Sequence, residues 1–178
     1  VEAMTWLYDS HIHLSDPSYQ YDMNHMINGM EKMKIKACCV SIDVMTSKKT
    51  LELGKQSKLI LPFIGIHPEC INDDLESMIT LIHENQQHIY GIGEIGLDPT
   101  YIKSDADKKN QICLFETFLS LAEKFQKPIS IHSRKSLDEI FSIMTSYKVK
   151  HALLHWFDGS KKQLKKAVIG ISYGAIAT

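Results

Sequence analysis

Two histidines one residue apart, His11 and His13, follow an aspartate in Asp9-Ser10-His11-Ile12-His13, and the apolar lead-in Trp6-Leu7-Tyr8 makes the stretch read as a strand. Side chains alternate along a strand with period two, so Asp9, His11 and His13 face one side and two imidazoles aim at one point. Neutral imidazole is the commonest nitrogen ligand of metals such as Zn, Mn, Fe and Co, and a rigid strand holds the angle between two of them. Further candidates stand at the ends of other apolar runs: His67 in Gly65-Ile66-His67-Pro68, Glu94 in Gly93-Glu94-Ile95-Gly96, His132 after Ile131, and His155 after Leu154. A carboxylate inside an apolar strand is costly to bury unless it is paired or coordinates a cation. A glutamate bridging two metals would meet that demand, with the cations ~3.5 to 4 Å apart as in two-metal hydrolases. The plainer alternatives are a lysine ion pair for Glu94 and scattered surface histidines, which is how His25, His83, His88 and His151 read.

The elements that must position these groups alternate between strand and helix. After the first strand, the stripe Met23, Met26, Ile27, Met30 and Met33 predicts a helix over 21–34 with a core-facing methionine face. Residues 37–42 read as a buried strand, Thr46 or Ser47 as the cap of a helix to Ser57, and residues 59–66 as the next strand. Asp73 or Asp74 caps a helix with Leu75, Met78, Ile79 and Ile82 inward, and a glycine-rich strand spans 89–95. A long helix over 105–125 follows, then a strand over 128–132, a helix from the cap Ser136 to about Tyr147, and a strand over 152–155. A lysine-rich helix starting at Ser160 and a last strand over 169–173 complete the order.

Seven strands joined by regular helical crossovers predict a parallel α/β fold, either an open doubly wound sheet or a (β/α)8 barrel of the TIM type. The first strand lacks a glycine-rich phosphate loop, and donors at the ends of several different strands suit the barrel, whose chemistry is assembled at that rim. The 178 residues, 44% hydrophobic and 23% charged, read as one domain. No apolar run approaches the ~20 residues of a membrane span, and the start lacks the pattern of a signal peptide, so a cytoplasmic location is expected. Cys38, Cys39, Cys70 and Cys113 show no CxxC spacing and read as reduced core residues. A net charge of -1 gives no broad basic face for nucleic-acid backbones, so any such substrate must be held locally.

Taken together, Asp9-Ser10-His11-Ile12-His13-Leu14, Gly65-Ile66-His67-Pro68, Gly93-Glu94-Ile95-Gly96-Leu97-Asp98, Ile131-His132-Ser133-Arg134 and His155-Trp156-Phe157-Asp158-Gly159-Ser160 resemble, in order and spacing, the TatD family of metal-dependent deoxyribonucleases, which are amidohydrolase-like TIM barrels. The resemblance covers nearly the whole chain. It implies one divalent metal held by His11, His13 and Glu94 and a second by Glu94, His132 and His155, the metals being Zn, Mg, Mn or Co. It implies His67 near the substrate phosphate, and Arg134, the single arginine among 20 basic residues, suits a phosphate oxygen. Asp9 and Asp98 are expected to orient histidines or substrate rather than bind metal. The family's eighth strand brings a metal-binding aspartate, whereas this sequence reaches Thr178 soon after the seventh strand and Asp158 is a poor replacement. The expectation is therefore a single domain over 1–178 with seven barrel strands and the eighth missing.

The activity so implied is phosphodiester hydrolysis of DNA by metal-activated water, trimming an end. A single-stranded or frayed end at the rim could rest a base on Trp156, Phe157 or Tyr101, the plainer reading of those aromatics being loop packing. The same constellation also serves esterases, lactonases and phosphotriesterases. An open barrel that binds a partner chain without catalysis is the alternative from another class.

Overall fold

The computed structural model describes residues 5–170 and 173–176. Strands and helices alternate as β1 (Leu7–Ile12), α1 (Met23–Met33), β2 (Ile35–Val40), α2 (Val44–Gln56), β3 (Ile60–Ile64), α3 (Leu75–Asn85), β4 (Gly91–Gly96), α4 (Asp105–Phe125), β5 (Ile129–His132), α5 (Leu137–Met144), β6 (His151–His155), α6 (Lys161–Gly170) and β7 (Tyr173–Ile176). Every neighbouring pair is parallel and the strands lie in chain order from β1 to β7. A flat sheet would hold β1 and β6 roughly 24 Å apart, at about 4.8 Å per strand. The His11 and His155 rings at their ends are instead stacked with centroids 3.5 Å apart, so the sheet curls round a common axis as a TIM-type barrel does.

Burial follows that curvature. All residues of β3 and β4 are buried, as expected for strands covered by helices on one face and the barrel interior on the other. The main core packs Phe115, Phe118 and Leu119 of α4 with Ile92 and Ile95 of β4, and a smaller cluster joins Met23 and Met30 of α1 to Ala37 and Cys39 of β2. The predicted methionine face holds for Met23, Met26, Ile27 and Met30, whereas Met33 is exposed because the helix ends there, with Lys34 in the left-handed conformation. The cysteines are free thiols, but Cys113 is exposed on the outer face of α4 and is not a core residue.

The caps differ in detail from the expectation. Asp43, not Thr46 or Ser47, caps α2: it accepts from the Thr46 backbone N–H at 2.7 Å, while the Thr46 hydroxyl oxygen accepts from the Asp43 N–H at 3.1 Å. Asp74 caps α3, and Asp73 instead accepts from the Val44 N–H at 2.7 Å, tying the two helix starts together. Ser136 stands at the start of α5, yet its hydroxyl donates to the Leu97 carbonyl at 2.7 Å and joins β4 to β5 beyond the strand ends. The last strand lies later than predicted. Residues 169–170 belong to α6, and β7 begins at Tyr173.

Two glycines make the mouth of the barrel possible. A Cβ at Gly93 would stand 2.8 Å from the Ser130 Cβ and 2.9 Å from its carbonyl oxygen. A Cβ at Gly96 would reach within 2.0 Å of the His132 carbonyl oxygen, and its φ of 149° is one that other residues rarely adopt. Gly96→Ala should therefore force β4 from β5 and lower stability by about 1–3 kcal/mol. Urea denaturation checks this, and an unchanged midpoint would refute the close approach.

Candidate metal centre

Glu94 is the hub. It lies in the middle of β4, is 3% exposed, and is held from behind by its backbone N–H donating to the Ser41 carbonyl at 2.7 Å beyond β2. Its two carboxylate oxygens face different histidines. Oε2 lies 3.3 Å from both His11 Nε2 and His13 Nε2, whereas Oε1 lies 3.2 Å from His132 Nδ1 and 3.9 Å from His67 Nε2. Candidate ligand atoms accordingly fall into two groups that share the glutamate, His11 with His13 and His67 with His132.

The first group has the spacing that a small cation needs. His11 Nε2 and His13 Nε2 are 3.2 Å apart, closing a triangle of 3.2, 3.3 and 3.3 Å with Oε2. Ligand atoms about 2.0–2.2 Å from a tetrahedral Zn2+ are separated by roughly 3.3–3.6 Å, so these three donors fit one ion without rearrangement. Burial works against ionising Glu94, but hydrogen bonds from His11, His13 and His132 outweigh it and hold the carboxyl far below the usual carboxylate range.

Each imidazole is oriented from behind. His11 Nδ1 is 3.0 Å from the Ser130 hydroxyl on β5, a contact that holds the ring with Nε2 toward Glu94: Nε2–H donates to the carboxylate when Ser130 donates to Nδ1, and Nε2 is freed for a cation when Nδ1–H donates to Ser130. The His132 Nε2–H donates to Asp98 Oδ2 at 2.8 Å, leaving Nδ1 as the atom toward the glutamate. Burial opposes the charged form of His132, and the paired carboxylates of Glu94 and Asp98 overcome this and raise its pKa. Asp98 is fully buried; its Oδ1 accepts from the backbone N–H and hydroxyl of Thr100, which caps the turn Pro99–Tyr101.

His67 has the opposite polarity. Its Nδ1 accepts from the Glu69 backbone N–H at 3.2 Å, so the neutral ring carries its proton on Nε2, the atom 3.9 Å from Glu94 Oε1. Burial pushes its pKa down to about 4, which keeps the ring neutral near pH 7. This tautomer presents a donor, suited to an anionic oxygen, where a ligand needs a lone pair. His155 enters the cluster through its ring face, 5° from coplanar with His11, and it belongs to neither tight grouping of ligand atoms. Burial, reinforced by the charge of His11, pushes its pKa down to about 4 as well. Arg134 stands exposed just beyond His132; burial, Glu69 and Asp98 push the Tyr101 phenol up, and the charge of Arg134 opposes them.

The backbone of the mouth depends on a residue that sequence reasoning passed over. Gln111, 1% exposed on α4, accepts from the Asp98 N–H at 3.0 Å and donates to the carbonyls of Asp98 and Pro68 at 3.0 and 3.1 Å. It thereby ties the loop after β4 to the loop carrying His67. Its spacing of four and seven residues from the apolar Phe115 and Phe118 is the signal in the sequence that could have placed it on the inner face. Ser130 was likewise unremarked, although it alternates with two apolar residues on the strand that ends in His132. His25, His83 and His88 lie outside this cluster, His83 edge-on against Phe125.

Comparison with known proteins now adds to this geometry. The sequence model of the family described as TatD related DNase matches residues 8–178. The chain is 33% identical over 138 residues to an uncharacterised metal-dependent hydrolase of Methanocaldococcus jannaschii, covering 76% of this chain and 53% of that protein. It is 25% identical over 167 residues to the human deoxyribonuclease TATDN3, covering 86% of this chain and 61% of that one. It thus spans little more than half the length of these relatives. Among solved structures, YJJV, a TatD homolog from Escherichia coli, superposes with a TM-score of 0.82 at 20% identity, over 96% of this chain and 66% of that one, and carries the fold.

The orientation of His132 can be tested directly. In Asp98→Asn an amide N–H2 faces the ring, the ring must turn its proton to Nδ1, and the nitrogen beside Glu94 loses its lone pair. Metal affinity, read by competition with a coloured chelator, should fall about 10–100-fold; an unchanged Kd would remove Asp98 from that role. Parallel strands curled so that five motifs meet at one rim, with a family match running over almost all residues, establish that the chain belongs to the TatD family of metal-dependent hydrolases.

Proposed function

We propose that the chain hydrolyses phosphodiester bonds of DNA with water activated at two divalent cations, trimming a single-stranded or frayed end. The observation that carries this reading is the division of Glu94, one oxygen toward His11 and His13 and the other toward His132. A carboxylate so divided is what a bridging ligand requires. His11, His13 and Glu94 would hold one cation, and Glu94 and His132 the second with His155 beside them. Divalent cations in such a pair lower the pKa of water toward 7 and stabilise the attacking and leaving oxygens of an in-line displacement.

The protein's own groups supply the rest. Ser130 and Asp98 fix which nitrogen each imidazole presents, so no side chain must turn as the site fills. His67, neutral with its proton on Nε2, offers a donor to a phosphate oxygen that enters beside Glu94. Arg134 reaches another with its planar pair of donors. With a net charge of -1, the chain has little long-range pull on a polyanion, and these local donors must hold the phosphate. The relatives named deoxyribonucleases support this substrate class.

Three outcomes are expected. A Mn2+-loaded preparation should cleave a single-stranded oligodeoxynucleotide and lose that activity with chelator, and His11→Ala should lose both bound metal and cleavage. Full metal occupancy and turnover in His11→Ala would rule out its ligand role, and robust turnover of carboxylic esters or lactones with none of DNA would replace the nuclease reading. Arg134→Ala should retain the metals while KM for the oligonucleotide rises about 10-fold or more, since a charge-assisted hydrogen bond contributes roughly 1.5–3 kcal/mol. An unchanged KM would free Arg134 from phosphate binding.

A further inference from the structure

Trp156 directly follows His155 and is 77% exposed, although a buried tryptophan removes about 150–250 Å2 from water. Its φ of 48° lies in the left-handed region, uncommon for a bulky residue. That turn separates two neighbouring aromatics. Phe157 packs against the main core, while the Trp156 ring stays in solvent, 5.5 Å from the His155 ring centroid and 30° from its plane. His155 in turn lies on His11. At the other end of the cluster, beside His67, Tyr101 is a second partly exposed ring, 6.0 Å from His67 and nearly perpendicular to it. Trp156, His155, His11, Glu94, His67 and Tyr101 form an unbroken run of neighbours over the metal centre, with an aromatic ring at each end.

We propose that Trp156 is a stacking platform for one base of a single-stranded nucleic-acid end whose phosphate lies at the metal centre, with Tyr101 flanking the strand on the far side. The inference rests on the nuclease reading and specifies how that site grips its substrate. Stacking suits this chain because it needs no net positive charge and accepts every base through its π-face. It also requires an unpaired base, which gives the preference for a single strand a physical source. A compact aliphatic ester or lactone would leave the ring unused.

Trp156 and Trp6 are the two tryptophans, so in a Trp6→Phe background the emission reports Trp156. Titrating the Mn2+-loaded full chain with a short oligothymidylate carrying uncleavable linkages should quench that emission. Trp156→Ala, followed by the anisotropy of a labelled oligomer, should raise Kd about 5-fold to 100-fold, the range for loss of one stacked base. Trp156→Phe should recover most of the affinity, and an abasic oligomer of equal length should bind less tightly and lose little further affinity on Trp156→Ala. Unmoved emission with an unchanged Kd in Trp156→Ala, or an equal loss on the abasic oligomer, would overturn the stacking role even where DNA is cleaved. A wild-type chain that cleaves DNA with no such penalty thus refutes this inference alone, whereas one that neither binds nor cleaves the oligonucleotide refutes the nuclease reading with it.

Discussion

The buried negative charge of Glu94 governs this structure. Glu94 sits within a strand whose other side chains are isoleucines and whose remaining positions are glycines, in surroundings that strongly disfavour ionisation. It is tolerated because the barrel brings imidazoles from three other strand ends to within 3.2 to 3.9 Å of its two oxygens. Replacing the glutamate alone would leave those rings without their common partner. Replacing the rings would leave a charge the interior cannot hold.

The scaffold around it serves precision rather than bulk stability. Gly93 and Gly96 let β4 approach β5 closely, which sets Ser130 behind His11 and His132 beside Asp98. Gln111 clasps the two loops that carry His67 and Asp98 from the underside, through three hydrogen bonds to backbone atoms. A buried amide fully satisfied in this way fixes a loop more sharply than an apolar contact, since any slip leaves a polar group without a partner. The donors at the rim are thereby organised before any cation or substrate arrives.

The resulting mouth is chemically divided. His11, His13 and His132 each turn a ring nitrogen to within 3.2–3.3 Å of Glu94, whereas His67 holds its Nε2–H 3.9 Å from the same carboxylate, and Arg134 adds a permanent cation on the exposed side of His132. Groups able to hold a cation and groups able to donate to an anion thus share one end of the barrel. Among the described residues no helix is long and apolar enough to cross a membrane.

Much of this was legible along the chain, because it depended on local patterns. Apolar periods of two and near 3.6 located the six helices and the first six strands among the described residues, and the spacing of His11, His13, His67, Glu94, His132 and His155 at strand ends marked the rim. Local pattern failed where several signals overlapped: Asp43 outcompeted Thr46 as a cap, and residues 169–170 lie in α6 where a strand was expected. What the tertiary structure decided were relations between residues distant in sequence. Only folding shows that Ser130, 119 residues from His11, meets its Nδ1, that His155 stacks on His11, and that Gln111 spans to Pro68. The reason is physical: residue type states which atoms can donate, accept or coordinate, but proton position, burial and the sharing of one carboxylate depend on distances that exist only once the sheet has curled.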